Sequence, residues 1–116
     1  MTEVRKLLED VMAVFGILGC GVVSRDGRAV EVILPKNAKS ETFSIMAATV
    51  FGASVTLHTD AGAPQPTEVI IKAGKIETSI SECGKRALVF IIRGDDYDSA
   101  KVEEKLKAIR TLFTAP

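Results

Sequence analysis

Val4, Leu7, Leu8, Val11 and Phe15 recur at spacings of three and four residues, with Glu3, Lys6, Glu9 and Asp10 mainly between them. That is the period of a helix with one apolar face, and Gly16 is placed to end it. Two β-rich runs follow, ILGCGVVS (17–24) and RAVEVIL (28–34), separated by Arg25-Asp26-Gly27. An Asp-Gly pair between such runs predicts a hairpin. The first run is apolar almost throughout, which suits a strand covered on both faces. Pro35 and Asn37 close the hairpin, and Ser40 is a good N-cap for a second helix.

That second helix carries the most informative pattern. Residues 42–57 read TFSIMAATVFGASVTL, without one charged side chain. A surface helix normally keeps a charged, solvated face. At 100° per residue, Phe43, Met46, Ala47, Val50 and Leu57 make one apolar stripe, assigned to the domain's own core. Ile45, Ala48, Gly52 and Val55 make a second stripe on the other side. The second needs cover from elsewhere, and a second copy of the chain is the expected cover. Its three- and four-residue spacing is that of a packed helix pair, and its small central residues permit close approach. A loop of the same subunit is the competing cover.

Asp60, Gly62, Pro64 and Pro66 break the chain after the helix. EVIIKA (68–73) then turns at Gly74 into KIETSISE (75–82), where Ile76, Thr78 and Ile80 alternate with Glu77, Ser79 and Ser81. The alternation predicts one wet face. Gly84-Lys85 turns into RALVFIIR (86–93), a second central strand by its composition. Asp95 or Asp98 can cap a last helix whose stripe is Val102, Leu106, Ile109 and Phe113. The order is α-β-β-α-β-β-β-α, an α+β domain. Short turns predict one five-stranded antiparallel sheet, with the first and last helices on one face and the middle helix on the other.

Composition narrows the function classes. With 116 residues the chain makes a single domain, 1–116. Basic and acidic residues balance at 15 each, which argues against a nucleic-acid groove or an anionic-membrane surface. The N-terminal MTEVRKLLED is charged and amphipathic, unlike a signal peptide. The uncharged stretch is shorter than the roughly 20 apolar residues of a membrane span and ends at His58 and Asp60. No membrane insertion is expected, and the protein reads as cytoplasmic. Cys20 and Cys83 then read as buried thiols.

No catalytic site emerges. His58 stands alone at a helix end, where a polar cap is the ordinary role. Cys20 lies in an apolar strand, where a thiol is inert. Asp95, Asp96 and Asp98 resemble the start of a calcium loop, but Tyr97 interrupts them and the required Gly and Glu are missing. Gly16, Gly19 and Gly21 open a strand, whereas the dinucleotide fingerprint opens a helix. No cofactor or metal is expected, and no enzyme activity. Arg25 and Arg28, with Lys36 and Lys39, flank the first hairpin and form a solvated rim that could meet an acidic partner. Arg25 is the one loop arginine placed like an arginine finger.

Three passages together resemble the roadblock family, the dynein light-chain type domain related in fold to profilin. They are Gly16-Ile17-Leu18-Gly19-Cys20-Gly21-Val22-Val23-Ser24-Arg25-Asp26-Gly27, the helix around Met46-Ala47-Ala48, and Glu68-Val69-Ile70-Ile71 with Cys83-Gly84-Lys85-Arg86-Ala87-Leu88-Val89. The resemblance implies a homodimer, or a heterodimer with a related roadblock chain, in which middle helices pack together and third strands pair. The expected interface is Ile45, Ala48, Thr49, Gly52 and Val55 on the helix, with Glu68, Val69, Ile70, Ile71 and Lys72 on the strand. Arg25 and Arg28 are the candidate partner-binding rim, with a merely solvated rim as the competing reading. The resemblance also implies a non-catalytic platform that regulates or scaffolds a small Ras-like GTPase. The alternatives are a structural, light-chain-like subunit of a motor- or filament-associated complex, and a small-molecule sensor.

Overall fold

The computed structural model describes residues 2–114. The order is α1 (Thr2–Met12), β1 (Ile17–Ser24), β2 (Ala29–Ile33), α2 (Ser40–Asp60), β3 (Glu68–Ala73), β4 (Ile76–Cys83), β5 (Ala87–Arg93) and α3 (Ser99–Thr114). The strands make one five-stranded sheet in the order β2-β1-β5-β4-β3, and every adjacent pair is antiparallel. The two apolar runs, β1 and β5, lie inside it, as the sequence predicts, and β2 and β3 form its borders.

Side chains alternate between two cores. On one face Val4, Leu8 and Val11 of α1 and Val102, Leu106 and Ile109 of α3 pack on Ile17, Cys20, Val22, Val89 and Ile91. On the other, Ala47 and Phe51 of α2 pack on Val23, Ile80, Leu88 and Phe90. The Phe43 and Phe90 rings meet at 4.6 Å between centroids, tilted 50°, within the range favoured for aromatic pairs. Gly16 turns the chain from α1 into β1 with φ +90°. A Cβ there would lie 2.3 Å from the Asp96 carbonyl oxygen, so the close approach requires glycine.

Phe15, placed on the apolar face of the first helix, lies beyond the end of α1 at Met12 and is 77% exposed. Two further sequence expectations change. The polar face of β4 is covered, not wet: Ser79 and Ser81 are buried. α3 reaches over them, and Arg110 Nη2 donates to Ser81 Oγ at 2.9 Å. Beside them Arg93 is buried and donates to Glu77 Oε1 at 2.9 Å. Alternation records which side chains share a face, but helix-borne arginines can satisfy a polar face and cover it. The second change is at the start of α2. Ser40 is already helical, and Lys39 is the N-cap, without a side-chain cap bond. For α3, the Lys101 amide donates to Asp98 Oδ1 at 3.2 Å, so Asp98 is the cap.

β2 is five residues long and its ladder to β1 is irregular between Val22 and Val23. Arg5 of α1 lies over it, 3.3 Å from Glu31 Oε1, and Pro35 follows the strand within two residues.

Candidate functional site

The surface that the sequence singles out is assembled from α2 and β3. α2 crosses the sheet and touches β1, β2, β3 and β4. Its buried line is Ser44, Ala47 and Phe51. That line lies between the two predicted stripes, roughly a quarter turn from where the inner stripe was placed, at about 100° per residue. Phe51, in neither predicted stripe, is the largest side chain buried from α2. Ser44 and Ala47 beside it are small enough to bring the helix close to the sheet. Met46 and Leu57, assigned to the core, are instead 52% and 65% exposed. Val55, assigned outward, is half-buried against the α2-side core.

Of the remaining outward residues only Ala48 is partly covered. Ile45 is exposed at the edge of the helix nearest Gly27 of the β1–β2 turn. Ala48 is half-buried and Thr49 exposed, and the Thr49 hydroxyl turns back to donate to the Ile45 carbonyl at 2.8 Å. Gly52 is exposed, and a Cβ added to it meets nothing within 4 Å. The outer surface of α2 is therefore uncharged from Thr42 to Leu57 and uncovered by the described residues of its own chain. By length and composition α2 is the one described helix that could cross a membrane, but its buried line is committed to the sheet.

β3 borders the sheet. Val69 is half-buried towards α2, while Glu68, Ile70, Ile71 and Lys72 are exposed, Ile70 by 46% and Ile71 by 42%. Glu68, Ile70 and Lys72 pair with Ser81, Ser79 and Glu77, so they share the face covered by α1 and α3. The Glu82 amide donates to the Thr67 carbonyl at 3.1 Å. Antiparallel strands point alternate residues at alternate neighbours. The backbone N–H and C=O groups of Glu68, Ile70 and Lys72 therefore point off the sheet, towards an empty edge.

The hairpin rim is brought together differently from the sequence expectation. Arg25 stays exposed but tethered: its Nη2 lies 2.8 Å from Glu82 Oε2, and its guanidinium sits 5.3 Å from the Phe51 ring centroid. That tether holds the guanidinium against its own domain, which suits an arginine finger poorly. Arg28 stays in solvent, 3.4 Å from Asp26 Oδ2. A hydrogen bond from the Ser24 hydroxyl chiefly holds the Asp26 carboxyl below its ordinary pKa. Sequence reasoning missed Lys85 and Arg86, which border the same cavity of about 340 Å³ as Arg25 and Arg28. The signal was the pairing of β1 with β5, which sets the two turns side by side, with the Arg25 amide donating to the Arg86 carbonyl at 2.9 Å.

Chemistry-bearing side chains elsewhere are dispersed. Among the described residues no group of three or more His, Cys, Asp or Glu side chains could hold a metal ion. His58 Nδ1 lies 2.8 Å from the Pro64 carbonyl oxygen, pinning the loop after α2. Cys20 and Cys83 are free and buried, and burial pushes their thiols up from 9.0 to about 12 and about 11. Such thiols stabilise the fold below the ordinary value, and that contribution is lost as the pH rises above 9.0. Both should resist iodoacetamide at pH 8 in the native protein and react once denaturant is added. Mass spectrometry of the intact chain reads the outcome, and rapid native alkylation would contradict their burial.

With this geometry in hand, the comparisons with known proteins decide the family. The Roadblock/LC7 domain family matches residues 3–93. The chain belongs to that family. Members of the family are generally non-enzymatic interaction and regulatory proteins. Among solved structures, an MglB with a tetrameric arrangement is 17% identical, covering 97% of this chain and 85% of its own, with a TM-score of 0.81. The gliding protein MglB of Thermus thermophilus is 18% identical, over 94% and 84% of the two chains, with a TM-score of 0.78. Profilin II of Acanthamoeba castellanii is 15% identical, over 97% and 94%, with a TM-score of 0.57. At these identities the likeness establishes the fold, the profilin-like roadblock architecture. No curated protein sequence matches the chain.

Proposed function

We propose that this roadblock domain is a dimeric, non-catalytic platform that regulates or scaffolds a small Ras-like GTPase in the cytoplasm. The observation that carries the reading is the continuity of the uncharged outer face of α2 with the open edge of β3. An apolar edge strand invites pairing, and an apolar helix face beside it needs cover.

The layout of α2 favours a symmetric partner. Ser40 and Glu41 share a cavity with Asp26, Gly27 and Arg28, so the helix starts above β2. Its 21 residues span about 31 Å, against about 19 Å between the outer strands of the sheet. Its C-terminal turns accordingly project towards the β3 border. A two-fold axis at that border pairs β3 with β3 and sets the second α2 alongside the first. Ile45, Thr49, Gly52 and Leu57 then find cover, as do Ile71 and Ile76, which are exposed on the α2 side of the sheet.

The GTPase is the partner class that family membership supports, and the fold likeness to MglB fits it. The joined α2 surface would hold the GTPase in one of its nucleotide-dependent shapes, with Arg28, Lys85 and Arg86 meeting acidic side chains at its margin. Capture of a small GTPase on the immobilised chain, loaded in turn with GTP and GDP, tests the reading. Stronger capture of one nucleotide form is expected. Equal or absent capture across candidate GTPases would overturn the regulatory role and favour a purely structural subunit.

A further inference from the structure

α3 covers the polar face of β4 unevenly. Ser79 and Ser81 are equally buried, each 5% exposed. Over Ser81 the helix lays the Arg110 guanidinium, 2.9 Å from the hydroxyl. The Ser79 hydroxyl meets no hydrogen-bond partner among the described residues, although buried hydroxyls are ordinarily hydrogen-bonded. Ser44 is likewise unpartnered, but it is sealed beneath α2. Ser79 instead lines a cavity of about 270 Å³ under the first turns of α3, between that helix and β3, β4 and β5. We propose that this cavity binds a small zwitterion of the size of an α-amino acid, with its carboxylate at Ser79 and Arg93 and its ammonium at Glu68. This goes beyond the platform reading and does not rest on it.

The carboxylate end is built from side chains and a helix terminus. Arg93 is buried and reaches the cavity from β5. Its Nη2 donates to Glu77 Oε1 at 2.9 Å, and its guanidinium lies over the Tyr97 ring, 5.1 Å from the centroid. The fork is thereby held in place, and its other N–H groups have no acceptor among the described residues. A fixed guanidinium fork suits a carboxylate, and the Ser79 hydroxyl beside it can donate as well. Ser99 and Ala100 line the cavity too, at the start of the 16-residue α3. The first amides of a helix lack intrahelical acceptors and favour an anion. Asp98 takes the Lys101 amide and makes no claim on theirs.

The charges around the cavity require a ligand of both signs. Glu77 is shared by two cations, Arg93 at 2.9 Å and Lys72 at 3.9 Å, so that end carries one positive charge in excess. Glu68 lines the same cavity and makes no ion pair among the described residues, so the other end carries a negative excess. Glu103 beside it is matched by Arg110 at 3.4 Å. A simple anion would leave Glu68 unmatched, and a simple cation would leave Arg93 with spare donors. Glu68 stands opposite Ser81, whereas Glu77 stands opposite Arg93. The two ends are thus about 13 Å apart along the strands, with Ser79 midway, and both side chains reach into the space between. The cavity of about 270 Å³ holds roughly nine water-sized groups. Ile91, Val102 and Leu106 supply its apolar wall. That is room for an amino acid with a methyl or hydroxymethyl side chain and not for one with an indole.

Titration of the isotope-labelled chain with L-alanine and L-serine, followed by NMR, tests this. Saturable shifts are expected at the amides of Ser79, Arg93, Ser99 and Ala100, with a dissociation constant below about 1 mM. Acetate and methylammonium each satisfy one end and should bind about tenfold more weakly or worse. L-tryptophan should give no shifts in the cavity. Ser79→Ala removes a hydroxyl that holds nothing in the free chain. It should weaken L-alanine about tenfold and leave the melting temperature unchanged. Glu68→Gln should weaken L-alanine about tenfold without weakening acetate. If neither amino acid gives saturable shifts up to about 10 mM, or if the shifts fall outside the cavity, the site is not there. Acetate binding as tightly as L-alanine would overturn the zwitterion. None of these measurements reads the assembly state or a GTPase, so their failure leaves the platform reading standing.

Discussion

Replacing Gly52 with glutamate is expected to turn the proposed dimer into a monomer while making that monomer more stable than its parent. The two effects have separate origins. Within one chain the position faces open space, since a Cβ there meets no neighbour within 4 Å. Mid-helix glycine costs about 1 kcal/mol relative to good helix formers. The substitution recovers most of that, a gain of roughly 4 °C in melting temperature for a 116-residue domain. Between chains, the carboxylate would enter the proposed helix-helix contact, with no cation along Thr42 to Leu57 to meet it. Burying it unpaired costs several kcal/mol, enough to dissolve a modest interface. Size-exclusion chromatography with light scattering gives the assembly state. Melting both proteins below the dimer's dissociation concentration gives the monomer stability without the mass-action contribution of association. An unchanged dimer peak would show that this helix face is not the contact.

Truncating Phe51 to alanine should have the opposite signature. Its ring is 1% exposed and packs among Val23, Leu88 and Phe90, with the Arg25 guanidinium above it. Removing a buried aromatic costs about 3–5 kcal/mol, the lost transfer energy plus the cavity left behind. That is a large share of the roughly 5–15 kcal/mol that holds a typical domain. Urea unfolding should show a much lower midpoint with nearly unchanged slope. Loss of dimer in this variant should track loss of folded protein, whereas in Gly52→Glu it should not. A midpoint shift equivalent to less than about 1 kcal/mol would mean that α2 is held mainly by other contacts.

Phe51 also marks where the sequence could be read and where it could not. The element order, the antiparallel sheet, its central strands and the sides taken by the helices follow from periodicity and turn residues, because each depends on neighbours in the chain. The orientation of α2 about its own axis does not. On an amphipathic helix such as α3, charge points outward and fixes the rotation: Val102, Leu106 and Ile109 are buried as the spacing predicts. Between Thr42 and Leu57 of α2 no charge breaks the tie, so two apolar stripes compete, and the side chain that fills the core lies between them. The covered serines of β4 fail for a related reason. Ser79 and Ser81 look solvated until Arg110, some 29 residues further along, is folded over them. Arg25 was legible as a loop arginine, but Glu82, which tethers it, lies 57 residues away. For the candidate surface, the exposed isoleucines of β3 and the bare position at Gly52 were legible because both are breaches of local rules. An apolar border strand and a glycine inside a helix each lack a local reason.

The opposite border of the sheet sets a limit on growth. If β3 is consumed in pairing, the doubled sheet ends in β2 on both sides. β2 is short, its ladder is irregular, an arginine from α1 lies across it, and a proline closes it. These are the devices by which natural sheets refuse another strand. One border is built to accept and the other to decline, so strand addition should stop at two chains and not continue into a fibre.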